Sequence, residues 1–327
     1  MKKKNKGILV GSSVLAGVFA AANGALLYQV MNKNAKILEK ISAKTYEKEK
    51  SKSKNALPQE IIENKPKFDF AAAREWYDTY EREEIVLCTR DLRLSGYFYP
   101  SEKPSDVYVF CAHGYRSNGR CDFTGLAKFY HDCGFNVLVV DHQASGNSEG
   151  KSYSFGYYEK LDSMKWLEYL MDRFGEDIKF ILHGISMGGA TVLMMSNDEK
   201  LPDNVKMIVS DCSYSDLSKQ FESILHNFHA PAKPFIKVSG LLNRMFYKYK
   251  FSDVRPIENV ASSKVPILFI HGRNDNLIEA RMSYELYNAC SSEKDLLIVD
   301  NADHAESFMI DPDNYCNKIK EFSEQYL

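Results

Sequence analysis

The chain has 327 residues, of which 44% are hydrophobic and 13% aromatic, enough to fill a sizeable apolar core. Its formal net charge of −2 provides no positive field of the kind that attracts nucleic acid, so we expect no nucleic-acid partner. None of its seven cysteines forms a C-x-x-C pair, which argues against zinc-binding and thiol-exchange motifs.

The first 31 residues predict a membrane segment. Residues 1–6 are basic, and residues 7–31 then run for 25 positions without a charge. About 20 apolar residues cross a bilayer as a helix. The small residues Ala20–Ala22 are also compatible with signal-peptidase cleavage, but the apolar run continues beyond them. We therefore favour an uncleaved single-pass anchor in the cell membrane over a removed signal sequence.

The charges on either side of this segment leave its orientation open. Four lysines precede it, and four follow within 15 residues, so the positive-inside count is a tie. The free amino terminus tips the balance towards a domain outside the cell, whereas the odd, unpaired set of cysteines argues mildly for a reducing compartment. The lysines are at positions 2, 3, 4 and 6, and at positions 33, 36, 40 and 44.

Residues 32–66 are rich in Lys, Glu, Ser and Asn, which is typical of a solvated, charged tether. This tether is predicted to separate the membrane segment from a domain at residues 67–327. The domain begins with a predicted helix, 68–80, and a hairpin of strands 84–87 and 93–99. Strands and helices then alternate, which is typical of a mostly parallel central sheet flanked by helices. The predicted strands are 106–112, 136–140, 178–183, 205–210, 265–270 and 294–299, and the predicted helices are 122–132, 156–173, 187–196, 214–225, 279–289 and 314–325.

The sequence Gly184-Ile-Ser186-Met-Gly188 has the form G-x-S-x-G, which is typical of a nucleophilic serine on a sharp strand-to-helix turn. Its context fits, because a short apolar strand precedes it and an apolar helix follows. Glycines two positions before and after the serine remove side chains that would collide in so tight a turn. Ser186 is therefore the candidate nucleophile.

An acid and a base are expected after this serine, in the order Ser, Asp or Glu, His. Asp275 and His304 each follow a predicted strand and satisfy that order. His304 would accept the proton of Ser186, and Asp275 would orient the imidazole. Asp211 also ends a strand and competes for the role of the acid, although we favour Asp275.

Two backbone N–H groups are predicted to form an oxyanion hole. One belongs to Met187, directly after the serine, and the other to Tyr115, in the loop that follows strand 106–112. His113, just before this loop, is predicted to brace it.

With these motifs the chain resembles the α/β-hydrolase superfamily, most closely the bacterial branch of monoacylglycerol-lipase-like and prolyl-aminopeptidase-like serine hydrolases. The resemblance covers roughly residues 83–327. It implies the α/β-hydrolase fold and a serine-hydrolase mechanism without cofactor or metal. One departure is visible, because relatives often carry D-x-R-G-x-G-x-S where this chain has Gln143 in place of the arginine. The matching landmarks are His113-Gly114, residues 141–150, the turn at Ser186, His271-Gly-x-x-Asp275 and His304.

An apolar and aromatic insertion at about residues 221–250 is predicted to form a short helical cap over an acyl pocket, the alternative being ordinary helix packing. We expect a membrane-anchored serine hydrolase that cleaves small carboxylic esters through an acyl-enzyme. The alternatives are a peptidase or acyltransferase with the same triad, or a non-catalytic binding module of the same fold. Because every candidate residue lies beyond the tether, a chain beginning near Lys67 is expected to remain active. The sequence leaves the oligomeric state open.

Overall fold

One eight-stranded sheet organises the computed structural model of the chain, which describes residues 23–34, 69–227 and 232–327. The strand order is β1-β2-β4-β3-β5-β6-β7-β8. Strand β2 is antiparallel to β1 and to β4, and all other neighbours are parallel, which confirms the predicted mostly parallel sheet. The strands are β1 Glu83–Thr89, β2 Leu92–Tyr99, β3 Val107–Ala112, β4 Asn136–Val140, β5 Lys179–Ile185, β6 Val205–Asp211, β7 Ile267–Gly272 and β8 Lys294–Val299.

Helices cover both faces of this sheet. Alternate strand residues point to opposite faces, so the sheet separates two apolar clusters. Val109 and Val139 belong to one cluster, with side chains of α3 and α11, while Phe110 and Leu138 belong to the other, with side chains of α4, α5, α8 and α9. The helices are α1 at residues 23–31, α2 Phe70–Thr79, α3 Gly119–Asp132, α4 Tyr157–Phe174, α5 Met187–Met195, α6 Leu217–Asn227, α7 Ala232–Tyr247, α8 Pro256–Val260, α9 Arg281–Ala289, α10 Ser307–Ile310 and α11 Pro312–Ser323.

The insertion between β6 and β7 contains α6, α7, a short 3₁₀ turn at Phe251–Asp253 and α8. Helix α6 begins three residues later than the predicted helix 214–225, because the Asp216 carboxylate accepts hydrogen bonds from the amides of Ser218 (2.8 Å) and Lys219 (3.2 Å). An Asp that satisfies the first free amides marks where a helix starts.

Helix α1 lies against the domain, although the sequence predicts that its residues belong to a membrane anchor. Leu27 and Met31 are buried, and the Asn23 side chain accepts a 2.9 Å hydrogen bond from the Ser239 hydroxyl of α7. The anchor predicted at residues 1–31 therefore has its last nine residues docked on the domain, while residues 1–22 lie outside the described residues. Across the three described ranges, no helix is both long enough and apolar enough to span a membrane.

Candidate active site

Ser186 lies at the apex of the turn between β5 and α5, as the G-x-S-x-G motif predicts. Its backbone has φ 56° and ψ −115°, a conformation that non-glycine residues rarely adopt. The turn is so tight that a Cβ atom on Gly184 would overlap the carbonyl of Gly188, and one on Gly188 would overlap the carbonyl of Ala112. Both glycines are thus required sterically, and the strained serine presents its hydroxyl above the carboxyl end of the sheet.

The structure brings Ser186, His304 and Asp275 into one hydrogen-bonded row. His304 Nε2 lies 2.9 Å from Ser186 Oγ, and His304 Nδ1 lies 2.7 Å from Asp275 Oδ2. An ionised carboxylate only accepts hydrogen bonds, so Nδ1 carries the proton and Nε2 is free to accept the serine proton. This geometry satisfies the requirement that a base lie within about 2.6–3.2 Å of the nucleophile and be oriented by a third group.

Three further contacts fix the Asp275 carboxylate. Its Oδ1 accepts from the amides of Leu277 (2.9 Å) and Ile278 (2.8 Å), and its Oδ2 lies 3.1 Å from His271 Nε2. His271 Nδ1 in turn lies 2.6 Å from the Ser283 hydroxyl, which fixes the ring. In the sequence, His271 stands out only as part of the family landmark His271-Gly-x-x-Asp275. Its spacing of four residues from Asp275 is the signal that could have identified this second histidine.

The pKa values of this row are displaced in opposite directions. Burial alone would raise the pKa of Asp275, but hydrogen bonds from His271 and His304 outweigh it and lower the pKa to about 2. Burial alone would lower the pKa of His304, but the hydrogen bond and negative charge of Asp275 raise it above the usual value. The row thus combines a carboxylate of lowered pKa with an imidazole of raised pKa, an arrangement suited to proton transfer from Ser186.

The competing acid, Asp211, makes no hydrogen bond to His304. Its Oδ2 accepts a 3.0 Å hydrogen bond from Tyr315, whose hydroxyl also lies 3.1 Å from His183 Nε2. Burial raises the pKa of Asp211 to about 6. Tyr130 lies 2.9 Å from the other His183 nitrogen, so Asp211 ends a buried polar chain beneath the turn.

The loop after β3 lies beside Ser186. A Cβ atom placed on Gly114 would be 3.3 Å from the Cβ of Ser186, and the Gly114 amide donates to Asp122 (2.7 Å). His113 Nδ1 lies 2.7 Å from the Gly114 carbonyl, and its Nε2 accepts from the His142 amide at 3.0 Å. His113 thus contacts this loop directly, as predicted.

The two predicted oxyanion donors are the amide directly after this serine and an amide of the loop beside it. Met187 is the first residue of α5, where amides have no acceptor within their own helix. The amide of Tyr115 makes no hydrogen bond to any residue that the structure describes. Both amides are therefore candidates to receive an external oxygen atom.

Gln143, at the position where relatives often carry arginine, does contact a guanidinium. Arg90, in the turn between β1 and β2, donates to the Gln143 side-chain oxygen at 2.8 Å and forms an ion pair with Asp162. An arginine from another part of the chain thus contacts the position at which the arginine of relatives is missing. No signal at position 143 itself could have revealed this.

One group of side chains near the site has ligand types that metals use. Ligand atoms of Cys212, Asp275 and His304 all lie within 4.8 Å of one another. Burial raises the pKa of the Cys212 thiol well above its usual value, and metals bind the thiolate rather than the thiol. The hydrogen-bonded row and the protonated thiol favour acid–base chemistry over metal binding here.

Comparisons with known proteins agree with this architecture. A family model described as "alpha/beta hydrolase fold" matches residues 108–256. The protein YqkD of Bacillus subtilis is 27% identical over 254 residues, covering 75% of this chain and 81% of YqkD. The membrane protein YNL320W of Saccharomyces cerevisiae is 25% identical, covering 73% of this chain and 78% of that protein.

Among solved structures, the esterase Pf2001 of Pyrococcus furiosus is similar. Its TM-score is 0.62 at 25% sequence identity, and the match covers 76% of this chain and 93% of that chain. The family match, the parallel sheet and the strained turn at Ser186 agree with the motifs noted in the sequence. The chain therefore has the α/β-hydrolase fold and is similar to proteins of the α/β-hydrolase superfamily.

Proposed function

We propose that the chain is a serine hydrolase that cleaves carboxylic esters through an acyl-enzyme. The observation that carries the proposal is the continuous hydrogen-bonded row from Asp275 through His304 to Ser186. In the first half of the reaction, Ser186 Oγ attacks the ester carbonyl carbon while its proton passes to His304 Nε2. The negative charge of Asp275 stabilises the imidazolium that results.

The oxygen of the tetrahedral intermediate would be stabilised by the amides of Met187 and Tyr115. The C–O bond to the leaving alcohol then breaks, and His304 returns the proton to that alcohol. In the second half, His304 takes a proton from water, the resulting nucleophile attacks the acyl-enzyme, and Ser186 is released with its proton restored. No cofactor or metal enters these steps.

An apolar cluster next to the row supports an acyl ester as the substrate class. It includes Tyr115, Phe155 and Phe221, together with Ala190 of α5 and Ile278, three residues after Asp275. Phe221 belongs to α6, which supports the role of α6 and α7 as the helical cap. The Pyrococcus furiosus relative is named an esterase, which also supports this class.

The test is covalent labelling with a fluorophosphonate, which reacts with an activated serine. The wild-type chain should be labelled and should hydrolyse p-nitrophenyl esters, whereas Ser186→Ala should do neither. Ser213→Ala is a matched control, because Ser213 is also buried near the site but its hydroxyl bonds to the Tyr214 carbonyl. Labelling that persists in Ser186→Ala refutes the assignment, and faster turnover of peptide amides, or acyl transfer to alcohols rather than to water, favours a peptidase or an acyltransferase.

We also propose that the N-terminal segment attaches the enzyme to the cell membrane. The uncharged run at residues 7–31 and the name of the yeast relative, a membrane protein, support this proposal. Helix α7 adds an apolar surface, since Leu241, Met245 and Phe246 are 68%, 54% and 65% exposed. Exposed Lys237 and Arg244 on the same helix would favour anionic lipids.

While α1 stays docked, residues 7–22 are the part of the run left for the bilayer. As a helix with a rise of about 1.5 Å per residue, they would measure about 24 Å, less than the hydrocarbon core of about 30 Å. A single-pass span therefore requires local thinning of the bilayer or release of α1. The full-length protein should sediment with membranes and resist carbonate extraction, and intact-mass analysis of that fraction should show residues 1–22 retained. A mature chain beginning near Asn23 would overturn the anchor and indicate cleavage.

A further inference from the structure

Helix α1 contacts the loop that carries the candidate oxyanion donor Tyr115. The Tyr115 hydroxyl donates to the carbonyl of Val30. Arg116 Nη2 donates to the carbonyls of Gln29 at 2.7 Å and Asn32 at 3.3 Å. The last carbonyls of a helix lack partners within the helix and carry partial negative charge. Two adjacent residues of the loop therefore cap the C-terminus of α1.

The chain beyond α1 is tied to a second segment that packs on the same loop. The carbonyl of Met31 accepts from the Tyr153 amide at 2.9 Å, and the Lys33 amide donates to the Lys151 carbonyl at 3.1 Å. Two residues after Tyr153, the ring of Phe155 stacks on Tyr115, with centroids 5.1 Å apart. Tyr115 is thus held from one side by the end of α1 and from the other by a segment that α1 itself binds.

Apolar burial keeps α1 in this place. Leu27 and Met31 belong to the same apolar cluster as Tyr115 and Phe155, and the buried Asn23 is hydrogen-bonded to α7 at the other end of the helix. Each of these side chains would be exposed to water if α1 left the domain. The contact with the loop is therefore supported along the whole length of the helix.

The backbone of the loop requires such support. Arg116 has φ +57°, in the left-handed region that costs energy for a residue with a Cβ. Residues held in this region persist only when their surroundings fix them. The hydrogen bonds from the Arg116 guanidinium to α1 provide this constraint one residue after the Tyr115 amide.

We propose that α1 is a positioning element of the oxyanion hole, which holds Tyr115 and Arg116 so that the Tyr115 amide points at the oxygen of the tetrahedral intermediate. This inference rests on the proposed function. It places the start of the catalytic unit before the charged tether, so a chain that begins near Lys67 loses turnover rather than retaining it as the sequence alone suggested.

The signature of misplacing an oxyanion donor is a lower kcat with an unchanged KM, because the interaction is made mainly in the transition state. Removing one donor outright costs roughly 100- to 1000-fold in kcat, so loosening one should cost roughly 10- to 100-fold. Loss of the acyl pocket or of the fold would change KM or the thermal unfolding midpoint instead.

The experiment uses the full-length chain and p-nitrophenyl acetate. Arg116→Met removes the hydrogen bonds from the Arg116 guanidinium to the end of α1. Leu27→Asp undocks α1 without changing any residue of the loop. Each should lower kcat roughly 10- to 100-fold with KM unchanged. The double variant should be no slower than the slower single variant, because both changes break the same contact. Arg116→Lys, which keeps the cation, should retain part of the activity.

Two control variants match these changes. Arg120→Met removes an arginine that pairs with Asp78 instead of α1, and Tyr28→Ala truncates a side chain of α1 that is 51% exposed. Both should keep the wild-type kcat. The inference is overturned if Leu27→Asp keeps the wild-type kcat, or if the losses multiply in the double variant. Failure of the proposed function would be recognised separately, because the wild-type chain would then show neither fluorophosphonate labelling nor turnover.

Discussion

Replacing Asp275 by Asn tests whether this carboxylate orients His304. The side chain keeps its size, but one of its two acceptor atoms becomes an N–H donor. In the structure both oxygens face donors only, since Oδ2 faces His304 Nδ1 and His271 Nε2, and Oδ1 faces the amides of Leu277 and Ile278. In either orientation of the amide, its new N–H group therefore faces another hydrogen-bond donor. The conflict at His304 is relieved only if His304 changes to the tautomer that carries its proton on Nε2.

In that tautomer His304 can no longer accept the proton of Ser186. The corresponding change in a serine protease lowers kcat by roughly four orders of magnitude while the geometry stays intact. At about 1.36 kcal/mol per tenfold change in rate, this loss corresponds to about 5.4 kcal/mol of transition-state stabilisation. We expect a loss of this order for Asp275→Asn.

The assay is the steady-state hydrolysis of p-nitrophenyl acetate, with circular dichroism to show that the fold persists. Asp211→Asn is the matched control, because Asp211 is equally buried but accepts from Tyr315. It should lower kcat far less than Asp275→Asn. The opposite ranking would refute the reasoning and transfer the role of the acid to Asp211.

Two further predictions follow from the same site. The value of kcat/KM should fall as the pH drops through the raised pKa of His304, because only the neutral imidazole accepts the serine proton; the acidic limb should therefore lie above the usual value of about 6.5. A pH–rate profile measures this limb, and a midpoint below that value in the wild-type chain would contradict the prediction. Gly188→Ala should abolish labelling of Ser186 and lower the thermal unfolding midpoint, since the added Cβ overlaps the backbone of Ala112; Ala190→Gly, in the same helix, should leave labelling intact.

Much of the fold follows from local patterns in the sequence. The alternation of apolar strands and helices predicted the parallel sheet, because the strands are buried on both faces and read as continuous apolar runs. The positions of Ser186, Asp275 and His304 follow from the same logic, as each lies after a predicted strand and the carboxyl ends of parallel strands meet at one edge of the sheet. Their roles in catalysis stay predictions until the serine is labelled.

Other features depend on contacts between distant segments, which a local pattern does not contain. The contact of Arg90 with Gln143 joins residues 53 positions apart, and Arg116 reaches Gln29 across 87 positions. Helix α1 shows the limit most clearly. Its composition suits a bilayer as well as a protein surface, so hydrophobicity alone predicts a membrane segment. The hydrogen bonds that join Asn23 and Arg116 across α1 and the domain, which accompany the apolar burial of the helix, link residues far apart in the chain.

The backbone contacts at the serine turn have a consequence for how this chain tolerates change. Gly184, Gly188 and Ala112 meet backbone against backbone, so the position of Ser186 is set by the sheet and by α5. The inserted helices α6 and α7 leave the sheet after β6 and return to it before β7, and they supply none of these contacts. Substitutions in the insertion can therefore accumulate while the nucleophile keeps its geometry. Under the proposed function, the choice of substrate can diversify while the hydrolytic step is inherited unchanged.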